Sequence, residues 1–310
     1  MTNYNAPAIS LLLLFMATSN IKNIAVLCVL RLFSWLPLGV GRLKGRCLGR
    51  LVFALNLKPA RIARFNIDRC YPDLSSKERV KLCKLRMMHL GQSAFEIPKV
   101  WHKGNPWVTQ KIVSIEGLDL FEQSISDDRG TILIIPHQGN WEVVGLWASQ
   151  MQAMTSLYDP PRLEALESWI KSAREQSGAA LVPTNIRGVA ALVKALHRGE
   201  MTGILPDQHP PASGGQLAPL LGIETRTMTL IYKLLNKSGA QAIMASALRV
   251  PGGWNLHFTQ VSNEIYSHDE ATSLAALNKG VEDVIALAPD QYQWEYNRFR
   301  EIPLGESIHD

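Results

Sequence analysis

The sequence predicts an α/β fold in which a mixed, mainly parallel sheet is sandwiched by helices. Between residues 111 and 261, short apolar runs alternate with segments of helical periodicity. The run Thr131–Ile135 is apolar, rich in β-branched residues and stopped by Pro136, which is typical of a buried strand. With 310 residues, of which 46% are hydrophobic, the chain is long and apolar enough to bury one large core.

A helical lead-in over residues 42–108 precedes the alternating region. Ser75 and Glu78 have the spacing of a capping box at the start of a long helix. Apolar residues then recur every three or four positions and form one face, which we interpret as core. They are Val80, Cys83, Met87, Leu90, Ala94 and Ile97.

The body over residues 111–261 is read as alternating strands and helices. Strands are predicted at Ile112–Ile115, Thr131–Ile135, Met154–Leu157, Leu181–Val182, Thr202–Leu205, Ala240–Arg249 and Asn255–Val261. Helices are predicted at Leu118–Ser124, Trp141–Gln150, Arg162–Ser177, Gly188–Arg198, Thr227–Lys237 and Thr272–Ala288. Without repeats or linkers, the economical division is an N-terminal segment, 1–41, and one catalytic domain, 42–310, that ends in C-terminal helices within 270–302.

The N-terminal segment contains two apolar stretches, Ile9–Ala17 and Ile24–Val40, the second interrupted by Arg31 and Pro37. Neither alone provides the roughly 20 uninterrupted apolar residues of a standard spanning helix. Together they could enter or cross a bilayer as a hydrophobic membrane-anchoring helix. Alternatively, the second stretch lies in the interface, with Trp35 at headgroup level. We expect an anchored protein and leave both arrangements open.

Positive charge is concentrated directly after this segment. The formal charge is +5, and between Arg42 and Arg69 eight basic residues face the single acid Asp68. This excess favours an anionic membrane surface, and it would place the body in the cytoplasm if the N-terminus spans. A solvated helix face is the plainer alternative. No recognition-helix signature accompanies the charge, so no nucleic-acid partner is predicted.

Cysteine and histidine spacing predicts neither a metal site nor a cofactor. Cys28, Cys47, Cys70 and Cys83 have no CxxC spacing and are interpreted as thiols in a reducing compartment. The eight histidines are scattered, and no nucleotide-binding glycine motif is present.

His137 and Glu142 are the most informative pair in the sequence. His137 follows a predicted strand, and Glu142 falls in the first turn of the next helix, which Asn140 is expected to cap. We predict that the carboxylate binds one ring nitrogen while the other nitrogen accepts a proton. The motif contains no Ser, Cys or Lys nucleophile, so it would activate the hydroxyl of a substrate.

Four ordered motifs resemble the late acyltransferases of lipid A biosynthesis, the lauroyl/myristoyl transferase family. They are Pro136–Glu142, Asn66–Leu74, Pro206–Gln208 and Gln291–Arg300. The resemblance covers about residues 28–302. It implies an inner-membrane acyltransferase with its body on the cytoplasmic face, an acyl carrier protein as the donor and a lipid A precursor as the acceptor.

Within that family, His137 would be the general base in a ternary complex without an acyl-enzyme. Gly139 would let the substrate approach, and amides from Asn140 onward would stabilise the oxyanion. Arg187 is interpreted either as a substrate or oxyanion ligand or as a solvated loop residue. Asp207 is interpreted as a structural residue at a strand end or as a ligand of the acceptor sugar.

The same sequence features also allow other functions. A related enzyme could acylate another glycolipid or polar lipid, such as a phosphatidylinositol mannoside. Glycerophosphate acyltransferases share a His-x4-Asp motif but lack the elements at Asn66–Leu74 and Gln291–Arg300. A non-catalytic protein that binds anionic lipid through Arg42–Arg69 is the third reading.

Overall fold

A computed structural model describes residues 25–160 and 164–300, except for the side chains of 164 and 165. The first apolar stretch, Ile9–Ala17, lies outside the described residues, as do positions 162–163 of one predicted helix and the last residues of the predicted C-terminal region.

The lead-in is helical, as predicted. Residues 25–35 form helix α1, followed by α2 (Leu38–Ala54), α3 (Lys58–Cys70) and α4 (Ser76–Gln110). The Ser75–Glu78 capping box is present at the start of α4. A Cβ added at Gly49 would lie 2.0 Å from a carbonyl oxygen of α4, so glycine lets the backbones of α2 and α4 touch.

The central sheet has seven strands in the order β1-β9-β8-β2-β5-β3-β4. Their bounds are β1 Ile112–Glu116, β2 Thr131–Ile134, β3 Met154–Tyr158, β4 Ala179–Pro183, β5 Met201–Ile204, β8 Gln241–Val250 and β9 Gly253–Gln260. All neighbours are parallel except β8 and β9, which form an antiparallel pair. The predicted mixed, mainly parallel sheet is therefore confirmed.

Helices cover both faces of this sheet. The helices after α4 are α5 Leu118–Ile125, α6 Trp141–Met151, α7 Glu164–Glu175, α8 Ile186–His197, α9 Leu230–Ser238 and α10 Glu270–Leu287. Alternate residues of β2 point to opposite sides: Ile132 packs in a core with α8, α9 and α10, and Leu133 packs in a core with α5 and α6. Both cores are fully buried, which fixes the register of the central strands.

One element differs from the prediction. The segment between β5 and α9 forms an antiparallel hairpin of β6 (Gly215–Leu220) and β7 (Ile223–Met228), so the predicted helix Thr227–Lys237 begins only at Leu230. Arg298 fastens the C-terminal segment to this hairpin, since it donates to the Thr225 hydroxyl and to the Arg226 carbonyl.

Helices α1 and α2 carry exposed apolar side chains. Val26, Val29, Leu32 and Trp35 recur every three positions along α1, and all four are exposed. On α2 the exposed apolar residues are Val40, Leu43, Leu48 and Leu51. Of the helices that the structure describes, none combines the length and apolar character needed to cross a bilayer.

Candidate active site

His137 and Asp207 meet at the carboxyl ends of two adjacent parallel strands. His137 follows β2 and Asp207 follows β5, and these strands are hydrogen-bonded neighbours. Asp207 Oδ1 lies 2.7 Å from His137 Nδ1, and Asp207 Oδ2 accepts the His137 backbone N–H at 2.8 Å. The carboxylate therefore fixes both the position and the rotation of the imidazole.

Asp207 is suited to remain ionised in this position. Its burial opposes ionisation, but the adjacent His137 ring and the hydrogen bonds from His137 outweigh that effect, so the pKa of Asp207 is lowered. Tyr292 lies beside the pair, and burial, together with the Asp207 charge, raises the pKa of its phenol well above the usual value. An ionised Asp207 favours the tautomer with the proton on Nδ1, which leaves Nε2 as a base.

The other ring nitrogen of His137, Nε2, faces an exposed side chain. Gln208 Nε2 lies 3.2 Å from His137 Nε2, and the Gln208 side chain is exposed. A substrate hydroxyl can therefore displace it. Trp141 packs edge-on against the imidazole, with ring centroids 4.8 Å apart, and forms an apolar wall on that side.

The predicted hydrogen bond between Glu142 and the His137 ring is wrong in this structure. Asp207 occupies Nδ1, and the Glu142 carboxylate instead receives both Nε and Nη2 of Arg174, at 3.1 and 2.5 Å. Burial alone would lower the pKa of Arg174, but the charge of Glu142 and its hydrogen bond raise it. The cause is the helical geometry of α6, which turns Glu142 toward α7.

Gly139 and Asn140 attach the loop that carries His137 to the neighbouring backbone. Gly139 has a φ of 59°, and a Cβ there would lie 2.0 Å from the Ala247 carbonyl oxygen of β8. The Gly139 amide donates to Gln291, and the Asn140 amide donates to Ala247. The expected side-chain cap from Asn140 is not formed. Both amides are thus occupied and unavailable to an oxyanion.

A second network lies behind this loop. The carboxylate of Glu96 on α4 binds Arg249 Nε at 2.8 Å and Arg42 Nε at 2.5 Å, and all three side chains are buried. Arg249 Nη2 also donates to the Gly139 carbonyl at 3.2 Å. The loop that carries His137 is therefore held by a buried ionic cluster on α2, α4 and β8.

Arg187 is exposed at the start of α8, where Asn185 caps the helix, and no contact joins it to His137 among the described residues. Arg174, Arg249 and Gln208 also belong to the site, although their sequence context does not mark them as site residues. Arg174 comes from a helix 32 positions after Glu142, and only the tertiary fold brings the two together.

Two apolar cavities border Trp141. One is a narrow cleft between α6, α7 and strands β3 to β5, with Glu142 and Arg174 in its wall. Its other lining residues include Gly145, Leu146, Met154, Leu157, Leu181 and Leu205. The other is a groove of about 290 Å³ on α4, lined by Leu90, Ala94, Ile97, Trp101 and Leu30 of α1. Trp141 lines both cavities and also packs against the His137 ring.

The C-terminal motif packs against the other three. The Gln293 amide donates to the His137 carbonyl, and the Asn66 side chain donates to the carbonyls of Trp294 and Tyr296 at 2.7 and 2.8 Å. The motifs at Asn66–Leu74, Pro136–Glu142, Pro206–Gln208 and Gln291–Arg300 thus form one assembly. Trp294 is buried.

Comparison with known proteins gives a consistent match over this whole assembly. The profile of the family described as "Bacterial lipid A biosynthesis acyltransferase" matches residues 13–301. The chain belongs to this family. It is 31% identical to the lipid A biosynthesis palmitoleoyltransferase of Escherichia coli (strain K12) over 284 residues, which cover 90% of this chain and 91% of the relative.

Two further relatives come from the same organism. This acyltransferase is 26% identical to the lipid A biosynthesis lauroyltransferase, across 89% of this chain and 90% of the relative. It is 22% identical to the lipid A biosynthesis myristoyltransferase, across 84% of this chain and 80% of the relative. The resemblance read from the four motifs is confirmed, and the protein is an acyltransferase.

Proposed function

We propose that this protein transfers a fatty acyl chain from an acyl carrier protein thioester to a hydroxyl on an acyl chain of a lipid A precursor. The observation that carries the proposal is the buried His137–Asp207 pair, whose imidazole packs against Trp141, a residue that lines two apolar cavities. Family membership supports lipid A as the acceptor, and the apolar linings of the two cavities suit acyl chains.

The reaction requires a base and a proton carrier. His137 Nε2 takes the proton of the acceptor hydroxyl as its oxygen forms a bond to the thioester carbonyl carbon. The C–S bond then breaks, and the imidazolium returns the proton to the leaving thiolate. Asp207 stabilises the imidazolium through Nδ1, at 2.7 Å, during the step in which His137 is charged.

The oxyanion needs donors that the fold leaves free. Because the amides of Gly139 and Asn140 are bonded within the protein, we assign this role to the first amides of α6, those of Trp141 and Glu142. Arg174 adds positive charge beside them, while Glu142 positions its guanidinium. Arg187 stays a candidate ligand for substrate phosphate at the same sheet edge.

The two cavities suit two acyl chains. The groove on α4 opens toward α1, so we assign it to the chain of the membrane-borne acceptor. The cleft between α6 and α7 reaches into the α/β body, and we assign it to the donor chain. The depth of that cleft would select the chain length, since each buried CH₂ contributes about 0.8 kcal/mol.

We also propose that the protein works at the cytoplasmic face of the inner membrane. The exposed apolar positions of α1, with Trp35 73% exposed, and the neighbouring Leu43 and Leu51 of α2 support an interfacial contact. Lys44 and Arg50 are exposed on α2 and can meet anionic headgroups.

Mass spectrometry of lipid A provides the test. A Gram-negative strain that lacks its late acyltransferases is complemented with the wild type, with His137→Ala, or with His197→Ala as a matched histidine outside the site. We expect one added acyl mass with wild type and His197→Ala and none with His137→Ala. No gain with well-expressed wild type would reject lipid A and favour another polar lipid as the acceptor.

A further inference from the structure

A large basic cavity lies outside the proposed acyl-transfer chemistry. It has a volume of about 750 Å³ and lies between the start of α2, the middle of α4 and the turn that joins β8 to β9. Five cationic side chains line it, and no carboxylate is among its described lining residues. The five cationic residues are Arg42, Arg46, Lys99, Lys111 and Arg249. A cavity with this charge selects an anion.

Two of these cations belong to the buried cluster around Glu96. Arg42 and Arg249 share that single carboxylate, so the cluster retains one net positive charge beneath the cavity. Lys99 donates to the carbonyls of Ser34 and Leu36 at 3.0 and 2.7 Å, and its ammonium group has a third hydrogen. The floor of the cavity is therefore positively charged, and hydrogen bonds and ion pairs hold its side chains in place.

The rim supplies the groups that are free to bind. Arg46 and Lys111 form no hydrogen bond or ion pair among the described residues. The first turn of α2 adds to them: Pro37 provides no side-chain cap, and the turn contains no acid. Its unbonded amides and the positive end of the helix dipole favour an anion as well. Donors therefore converge from two helices and a strand end.

We propose that this cavity binds a phosphate group carried by a membrane lipid. Guanidinium, ammonium and amide donors around one concave space match a tetrahedral phosphate better than the convex acidic surface of a protein. The cavity begins at Pro37 and Leu38, directly after α1 with its exposed apolar face, so a lipid headgroup could reach it while its chains stay with that face.

The cavity lies at the same edge of the sheet as His137. Strand β8 is parallel to β2 and extends past it, so Arg249 and Val250 lie beyond the loop that carries His137. Arg249 contacts the cavity on one side and the Gly139 carbonyl on the other. The phosphate belongs either to the acceptor, which rests on the proposed function, or to an anionic phospholipid.

The test uses the full chain with His137→Ala, so that binding is measured without turnover. The pocket double variant Arg46→Gln/Lys111→Gln is compared with Lys233→Gln/Lys237→Gln on α9, which removes the same charge from exposed sites outside the cavity and outside the proposed membrane-contact helices α1 and α2. Binding to vesicles is measured at physiological salt, where long-range surface attraction is screened. The vesicles contain phosphatidylcholine alone, with phosphatidylglycerol, with the lipid A precursor, or with phosphatase-treated precursor.

We expect the pocket variant to lose about tenfold more affinity than the control on phosphate-bearing vesicles. A loss confined to the untreated precursor assigns the acceptor phosphate, and a loss with phosphatidylglycerol assigns a phospholipid headgroup. Equal losses in both double variants, or no loss in either, would overturn the proposal. The experiment measures binding and not acyl transfer. Failure of this proposal can therefore be distinguished from failure of the proposed acyl transfer.

Discussion

Asp207 holds His137 at two points, the ring Nδ1 at 2.7 Å and the backbone N–H at 2.8 Å. Both contacts come from one carboxylate that follows the neighbouring strand, so the orientation of the imidazole depends on the pairing of β2 with β5. The carboxylate of Glu142, five positions after His137 in the same motif, binds Arg174 instead.

Asp207→Asn should abolish most turnover and leave the fold intact. An asparagine amide that donates to Nδ1 would force the proton onto Nε2 and remove the base. We expect kcat to fall about a thousandfold, with circular dichroism unchanged. Asp290→Asn is a matched control, since Asp290 pairs with His89. A loss of less than about tenfold for Asp207→Asn would contradict the assigned role.

Glu142 and Arg174 should act as one unit. Glu142→Gln and Arg174→Gln each leave one partner without its counter-charge, so each should lower kcat by about a hundredfold. The double variant should lose no more than the worse single variant, because the interaction is already absent. Additive losses in this double-mutant cycle would mean that the two residues act separately.

Much of this fold could be predicted from periodicity and turn chemistry. The capping box at Ser75 and the buried strand before Pro136 are local signals, and both are present in the structure. Asp207 and His137 were each expected at a strand end. Their contact was not predicted, because it depends on β5 lying next to β2 although two strands intervene in sequence.

The same reason explains the wrong partner for Glu142. Sequence spacing suggested that a residue five positions after His137 could reach its ring, but helix α6 directs that side chain toward α7. The hairpin of β6 and β7 was missed because Pro219 interrupts the pattern of β6 and because β7 is largely polar. The alternation of apolar and polar residues is weak in these two strands. Whether such segments form strands depends on how their side chains pack in the tertiary structure.

Replacing Glu96 should destabilise the enzyme strongly. Glu96→Gln leaves the guanidiniums of Arg42 and Arg249 buried without a carboxylate, at a cost of about 3–5 kcal/mol. The melting temperature should fall by about 10 °C. Glu116→Gln serves as the control, since Glu116 is 65% exposed in its side chain. An unchanged melting temperature would show that the cluster contributes no stability.

Gly145 offers a route to the donor chain length. It lines the cleft between α6 and α7, and a Cβ added there meets nothing within 4 Å. Gly145→Leu should fill part of the cleft and shift the preferred donor by roughly two to four carbons toward shorter chains. Gly145→Ala is the conservative control. Acyl masses on the product provide the measurement, and an unchanged length would place the donor chain elsewhere.

The cysteines report on membrane contact. Cys28 and Cys47 are exposed, whereas burial raises the pKa of the Cys70 thiol to about 12 and that of Cys83 to about 11. A maleimide at pH 7.5 should therefore label only the two exposed thiols of the native chain and all four after denaturation. Vesicles should protect Cys28 on α1. Undiminished labelling of Cys28 on vesicles would argue against interfacial contact by this helix.

The same raised pKa values predict the response of stability to alkali. A buried thiol that must stay protonated stabilises the fold fully below its unfolded pKa, near 9.0, and that contribution is lost as pH rises toward the folded value of about 11 for Cys83. Cys83→Ala should flatten the decline in melting temperature between pH 9 and 11, and Cys47→Ala should not. Identical declines in both variants would contradict this assignment.

Trp141 and helix α7 separate the two apolar cavities. Trp141 lines both cavities, whereas Leu166 of α7 lines the groove on α4 and Arg174 of α7 lines the cleft between α6 and α7. A substitution in Trp141 or α7 that enlarges one cavity reduces the other. The chain-length preferences for donor and acceptor should therefore change together in such a variant. Met154 and Ala179 border only the inner cleft. Redesign of the donor preference alone should therefore begin on β3 and β4.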